Sequence, residues 1–352
     1  MLKFQKTALL AAMTLCVAPM SAATAATVPA AMSAPQEREA AAMQEWLART
    51  AAWTRGYSEL TSRRVDTILW LTDAPNTLVT KLNDPSKARA REWVTTWAAE
   101  ARARLASEMD FYRSLPTEIP RPAAIVPLSA QNEIRLTSMG RLADRTGTLM
   151  ISTGQACEEY IQLMEAAASG RQEDLVRLDA GFYKLTLAHL QAEVVMMEGF
   201  AEGSTGPARE FAMTQVESNR AIIVWTQHLH DQYFGHADGA ATAVRLRGHA
   251  TTMREIVARL RVQLRGVERD LRSTPEMAAT PFGQTMTRVM ASMHETAAVE
   301  EQIADAIDAL ADAAARNDEA AGTAAAERIS ALVTERIRLD AVRREMLAGA
   351  QS

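Results

Sequence analysis

The sequence predicts an all-α fold, a bundle of about eight long antiparallel helices with coiled-coil-like heptad packing. Three observations carry that expectation. About a fifth of the residues are alanine, the strongest helix former. The 12 prolines and 16 glycines are few for a chain of 352 residues, and they cluster. Apolar residues recur at spacings of three and four, whereas alternation of apolar and polar residues never runs long enough for a strand.

The elements follow in order. Residues 1–26, MLKFQKTALLAAMTLCVAPMSAATAA, read as a secretory signal peptide. Lys3 and Lys6 make a positive start, Thr7 to Ala18 is a short apolar run, and Ala23-Thr24-Ala25 supplies the small-x-small cleavage pattern. The bulky Leu15 before Cys16 argues against a lipoprotein signal. A loose Ala/Pro/Ser stretch occupies 27–35. The first predicted helix, 36–72, carries Trp46, Trp53, Tyr57 and Leu60 on one stripe and ends at Asp73-Ala74-Pro75-Asn76. The second, 86–115, places Trp93 and Trp97 four apart on one face. Five of the six tryptophans precede residue 98, so 27–115 is expected to form an aromatic-rich helical hairpin, a core or an apolar groove. Pro116, Pro120, Pro122 and Pro127 then make 116–128 a proline-rich linker.

A C-terminal bundle is expected over 129–352, with helices at 129–168, 172–201, 207–234, 239–272, 281–317 and 321–348. Gly170, the GSTGP run at 203–207, Gly235, Thr274-Pro275 and Thr280-Pro281 separate them. Met150, Cys157, Ile161 and Met164 share a face, which suits a buried Cys157. It is the one cysteine left after the leader, so no intrachain disulfide can form. His189 lies on a stripe with Leu178, Phe182 and Leu185, and His230 on one with Val216 and Ile223. Within 239–272, Leu246, Ala250, Met253, Val257, Leu260, Leu264, Val267 and Leu271 form a heptad seam over 26 residues. Such a seam wants a long partner helix. Ile303, Ile307, Leu310 and Ala314 make a stripe in 281–317. Leu332, Leu339 and Met346, flanked by Val333, Ile337 and Val342, make one in 321–348.

Charge is uneven. The whole chain carries −5, and −7 without Lys3 and Lys6, which argues against a general nucleic-acid binder. From Arg245 to Arg272 eight arginines face three acids; from Glu295 to Glu319 eight acids face one arginine. Arg247, Arg254 and Arg261 repeat every seven residues beside the seam, where they can pair across it, and they are candidates for contact with a partner or an anionic surface. Glu301, Asp305, Asp308 and Asp312 form a stripe expected to face away from the seam. No stretch after the leader approaches 18 apolar residues, so no transmembrane segment is expected in the mature chain.

The stretch HLHDQYFGHADG, from His228 to Gly239, holds three of the six histidines. Its structural reading is a helix end: Gly235 terminates one helix, Asp238 caps the next, and His228 and His230 sit where the dipole favours a charged ring. Its functional reading is a metal site. If the flanking helices fold back at Gly235, His228 lies about 10 Å and His249 about 16 Å from the turn, close enough to share an ion. His228, Asp231 and His249, with His236 from the loop, are then the ligand set, suited to zinc or copper. The H-E-x-x-H and E-x-x-H patterns are missing. So are G-x-S-x-G, S-x-x-K, G-x-x-x-x-G-K-[ST], G-x-G-x-x-G and C-x-x-C.

The expectation is therefore a periplasmic or secreted helical scaffold or binding module, non-enzymatic, without cofactor. It would engage a protein partner or small ligand through helix faces, and a homo-oligomer is compatible with those faces. The alternatives are a metal-binding bundle using the His228–His249 region, and an envelope-surface factor using the basic helix 239–272.

Overall fold

The computed structural model describes residues 34–84, 87–118, 130–203, 206–234, 239–273 and 278–349. The leader at 1–26, most of the proline-rich linker, and Gly235, His236 and Asp238 lie outside them, as do the side chains of Asp231, Val333 and Ile337. The described residues form nine helices and no strand: α1 (Ala34–Leu82), α2 (Ala88–Ser114), α3 (Ala130–Gly140), α4 (Leu142–Ala167), α5 (Gln172–Gly203), α6 (Gly206–Phe234), α7 (Gly239–Ser273), α8 (Pro281–Arg316) and α9 (Glu319–Gly349). The all-α expectation stands.

Two elements depart from the sequence expectation. First, α1 does not end at residue 72 but runs through Pro75 to Leu82. Pro75 removes one backbone donor and crowds the preceding turn. Ala74 and Leu78 on either side are buried, and that tertiary burial outweighs the local break. Second, the stretch expected as one helix at 129–168 is two. Gly140 ends α3, Arg141 N donates to Ser138 O at 3.2 Å in a tight turn, and Ser138 Oγ donates to Gly199 O at 2.7 Å.

The chain divides into two compact units. The N-terminal unit comprises, of the described residues, 34–181 and 192–212; the C-terminal unit comprises 182–191 and 213–349. The N-terminal unit therefore does not stop at the proline-rich segment. Helix α4 packs against both α1 and α2, because its buried stripe Leu149, Met150, Cys157, Ile161 and Met164 needs a covering surface.

Leu60, Leu149, Met150 and Ala192 form one core cluster, flanked by Met109 and Met196. Trp53 and Tyr57 form another with Ala143. Both polar tips are satisfied at one place: Trp53 Nε1 donates to Pro116 O at 2.6 Å and Tyr57 Oη donates to the same oxygen at 3.1 Å. The chain leaving α2 is thereby tied to α1. Trp97 stacks on Trp70 from α1 (centroids 5.5 Å) and on Trp93 (6.2 Å). Arg104 lies 4.3 Å over Trp70, and Lys81 lies 5.9 Å from the Trp93 centroid, so a cation closes each end of the stack. Gly170 turns α4 into α5 with φ of 70°, a conformation that a side chain would strain.

In the C-terminal unit α8 is central, packing on α7 and on α9. Six of the eight seam residues of α7 are buried, and Met253 and Val267 are half-buried. Leu246, Ala250 and Met253 meet Val299, Ile303, Ala304, Ile307 and Ala311 of α8. Small alanines at 304 and 311, both fully buried, let the helices approach closely. Thr280 caps α8, accepting from Gly283 N at 3.1 Å, with Pro281 in the first turn. Asn317, at φ 51°, ends it, and Asp318 Oδ1 caps α9 by accepting from Ala321 N at 3.0 Å. Across α8 and α9 a buried ion pair joins Glu300 to Arg336 at 2.9 Å.

Candidate functional site

Three groupings of polar side chains are candidates for function. The first is the histidine pair that the sequence singles out. His228 stands one and a half turns from the end of α6, and His249 three turns into α7. The structure brings them together, with ring centroids 5.8 Å apart and planes tilted by 44°. Trp225, one turn before His228, lies edge-to-face with His249, ring centroids 5.2 Å apart. His228 is buried and His249 half-buried. Burial, then the neighbouring His228, pulls the His249 pKa from 6.5 down to about 4, so at neutral pH this ring is uncharged and its lone pair available.

The pair supplies two nitrogen donors. Arg245 Nη1 stands 3.3 Å from His228 Nδ1, and a guanidinium can only donate, so this contact favours the tautomer with its proton on Nε2. Coordination through Nε2 would reverse that tautomer and turn Nδ1–H toward Arg245. The arginine thus competes with a metal for His228. Among the described residues no three His, Cys, Asp or Glu side chains stand together as metal ligands. Of the remaining sequence candidates, His236 and the Asp231 side chain lie outside the described residues. His230 points elsewhere, its ring against Tyr183 at 5.9 Å, and His189 is fully buried.

The second grouping is the arginine ladder of α7. Arg247 donates to Asp312 at 2.7 Å, Arg254 pairs with Asp305 and Asp308 at 2.7 Å each, and Arg261 donates to Glu301 at 2.6 Å. Rising numbers on α7 meet falling numbers on α8, so the helices are antiparallel. The acidic stripe therefore flanks the seam rather than facing away from it. A helical face is wide enough that residues one position off an apolar stripe border the partner helix, and long guanidinium arms reach them. The pairs are half-exposed. Arg259 on the other flank reaches Glu217 of α6.

The third grouping is buried in the N-terminal unit and was not singled out from the sequence. Arg64 of α1 and Glu108 of α2 pair at 2.5 Å, with side chains 1% and 5% exposed. Thr67 Oγ1 donates to the other carboxylate oxygen at 2.5 Å, and Arg64 Nη1 donates to Thr153 Oγ1 at 2.7 Å and Met150 O at 3.0 Å. The signal was present. Arg64 continues the stripe Trp53, Tyr57, Leu60 by four residues, and Glu108 continues Val94, Trp97, Ala101 by seven. A charged residue on an apolar stripe of each of two adjacent helices is a buried pair in prospect. Cys157 is fully buried, and burial pushes its thiol up to about 12, leaving it unreactive at neutral pH.

No described helix is long and apolar enough to cross a membrane. Comparison with protein-family models, curated proteins and solved structures finds no match to this chain.

Proposed function

We propose that the chain is an exported, non-enzymatic helical binding module that engages a protein partner through an outer helix face. The observation that carries the reading is the face of α7 opposite its seam. Val244 and Val262 on it are 68% and 60% exposed. They lie 18 residues apart, about five turns, so they share one line along the helix. Gly248 between them has open space above it. Behind this face the Arg247, Arg254 and Arg261 pairs hold α7 against α8, so it is presented on a braced element. Solvent-facing valines on a helix packed against α8 suit a helix-packing partner, a second copy of the chain included. The leader at 1–26 supports export.

One specific observation favours a second reading, metal handling: the close pair of a buried His228 and a half-buried His249 whose pKa is lowered to about 4. Contact of Arg247, Arg254 and Arg261 with anionic groups is a weaker reading. It would require Asp312, Asp305, Asp308 and Glu301 to release them.

Native mass spectrometry separates these readings. The chain is produced with its own leader and purified without chelator or affinity histidines. The expected result is a chain cut after Ala25 or Ala26, in an oligomer or partner complex that Val244→Glu with Val262→Glu dissolves. A bare monomer that this double variant leaves unchanged refutes the α7 face. A metal-sized mass increment lost in His228→Ala with His249→Ala replaces it with the metal reading.

A further inference from the structure

We propose that a groove between α2 and α4, distinct from the α7 face, binds a small uncharged amphipathic molecule: an apolar chain carrying one carbonyl or amide oxygen, which accepts from Arg64 Nη2. The groove encloses about 390 Å³, within the range of small-molecule sites. Leu105, Ala106 and Met109 form one wall, Met150, Ile151 and Gly154 the other, and Arg64 part of the floor.

The floor holds the argument. The Arg64 side chain is 1% exposed, and its Nε and Nη1 are fully engaged by Glu108, Thr153 and Met150. Its Nη2 is buried and meets no acceptor among the described residues. A buried guanidinium donor left unmet is costly, and an incoming acceptor removes that cost. Gly154 lies directly over this group: a Cβ there would stand 3.4 Å from Nη1 and 4.0 Å from Nη2. A longer side chain at 154 would occupy the groove above the guanidinium. The absent side chain keeps the approach open from the solvent side, where Ile151 is 56% exposed.

Charge decides the class of ligand. The Arg64 cation is already neutralised by Glu108 at 2.5 Å. At the rim Asp110 is paired with Arg113 at 3.0 Å, and Glu158 with Arg102 at 2.9 Å. An anion would meet no spare positive charge, and it would pass two carboxylates. A cation could not accept from Nη2. A neutral oxygen on an apolar chain satisfies both the walls and the floor. Met109 and Met150 are unbranched and re-pack readily, which lets such an oxygen reach Nη2.

The test titrates the full chain, labelled with 13C at its methionine methyls, with octanamide, octanoate and octylammonium. The expected result is a saturable shift of the Met109 and Met150 methyls by octanamide. It should bind about tenfold more tightly than octylammonium, the factor that one charge-assisted hydrogen bond supplies, and more tightly than octanoate, whose charge passes the Asp110 and Glu158 carboxylates. Gly154→Leu, which fills the groove, abolishes the shift. If Gly154→Leu loses its helicity, Ile151→Glu at the exposed rim serves instead and weakens binding. Tightest binding by octanoate, equal binding of all three, or no saturable shift overturns the proposal. In the last case a water serves Nη2, and the α7-face reading is untouched.

Discussion

Replacing Glu108 by alanine should cost the N-terminal unit a large part of its stability, although it deletes a charged residue rather than an apolar one. The substitution leaves the Arg64 guanidinium, 1% exposed, without the carboxylate 2.5 Å from its Nε. Breaking a buried pair from one side costs about 3–5 kcal/mol, because the remaining charge stays desolvated and uncompensated. Thr67 Oγ1 also loses its acceptor. A loss of about 4 kcal/mol is roughly a thousandfold in the folding equilibrium, against a total of about 5–15 kcal/mol for an ordinary domain. Removing both charges together is different. Arg64→Met with Glu108→Leu fills the space with apolar atoms and should lie within about 1 kcal/mol of the parent, or above it. Guanidinium unfolding followed by tryptophan fluorescence makes the comparison. In a Trp225→Phe background the five remaining tryptophans all belong to the N-terminal unit, so the signal reports that unit alone. A loss below about 1 kcal/mol for Glu108→Ala would refute the reasoning, as would a double variant as unstable as the single one.

Two further predictions concern the C-terminal unit. The His249 ring is held near pKa 4 when folded against 6.5 when free, so between those values the unfolded chain binds more protons. Stability is therefore fully present above pH 6.5 and falls as pH drops toward 4; His249→Gln should flatten that slope. Trp225, edge-to-face with His249, should be quenched with a midpoint near pH 4 rather than 6.5, and a midpoint at 6.5 would contradict the burial argument. Arg254, 38% exposed and shared between Asp305 and Asp308, should contribute only about 0.5–1 kcal/mol, so Arg254→Ala should be mild and its effect should shrink in high salt. A salt-independent loss of about 2 kcal/mol or more would show that packing of the arginine stem, not the ion pairs, holds the ladder.

Much of the fold was legible in the residues. Breaks at Gly140, Pro75 and 116–128 show where legibility ended. Gly140 divides what the periodicity joins, because a turn needs only one permissive residue and one acceptor, here Ser138 O. Pro75 fails to end α1, because the burial of Ala74 and Leu78 is a tertiary term absent from any local window. The proline-rich linker bounds no unit, because α4 on its far side covers α1 and α2. At the candidate sites the pattern was the same. The spacing of Arg247, Arg254 and Arg261 announces pairing, yet the acidic stripe borders the seam instead of facing away from it, since a helical wheel gives angle but not the reach of a guanidinium.

By itself the sequence determined the all-helical class, most helix positions and the seam of α7, because helix propensity and apolar periodicity are local properties. Tertiary structure alone decided which helix meets that seam, that Arg64 and Glu108 bury each other, that His228 and His249 touch, and that a groove opens over Arg64. Each of these joins residues 17 or more positions apart in the chain, where only the packing of whole helices sets distance and dielectric.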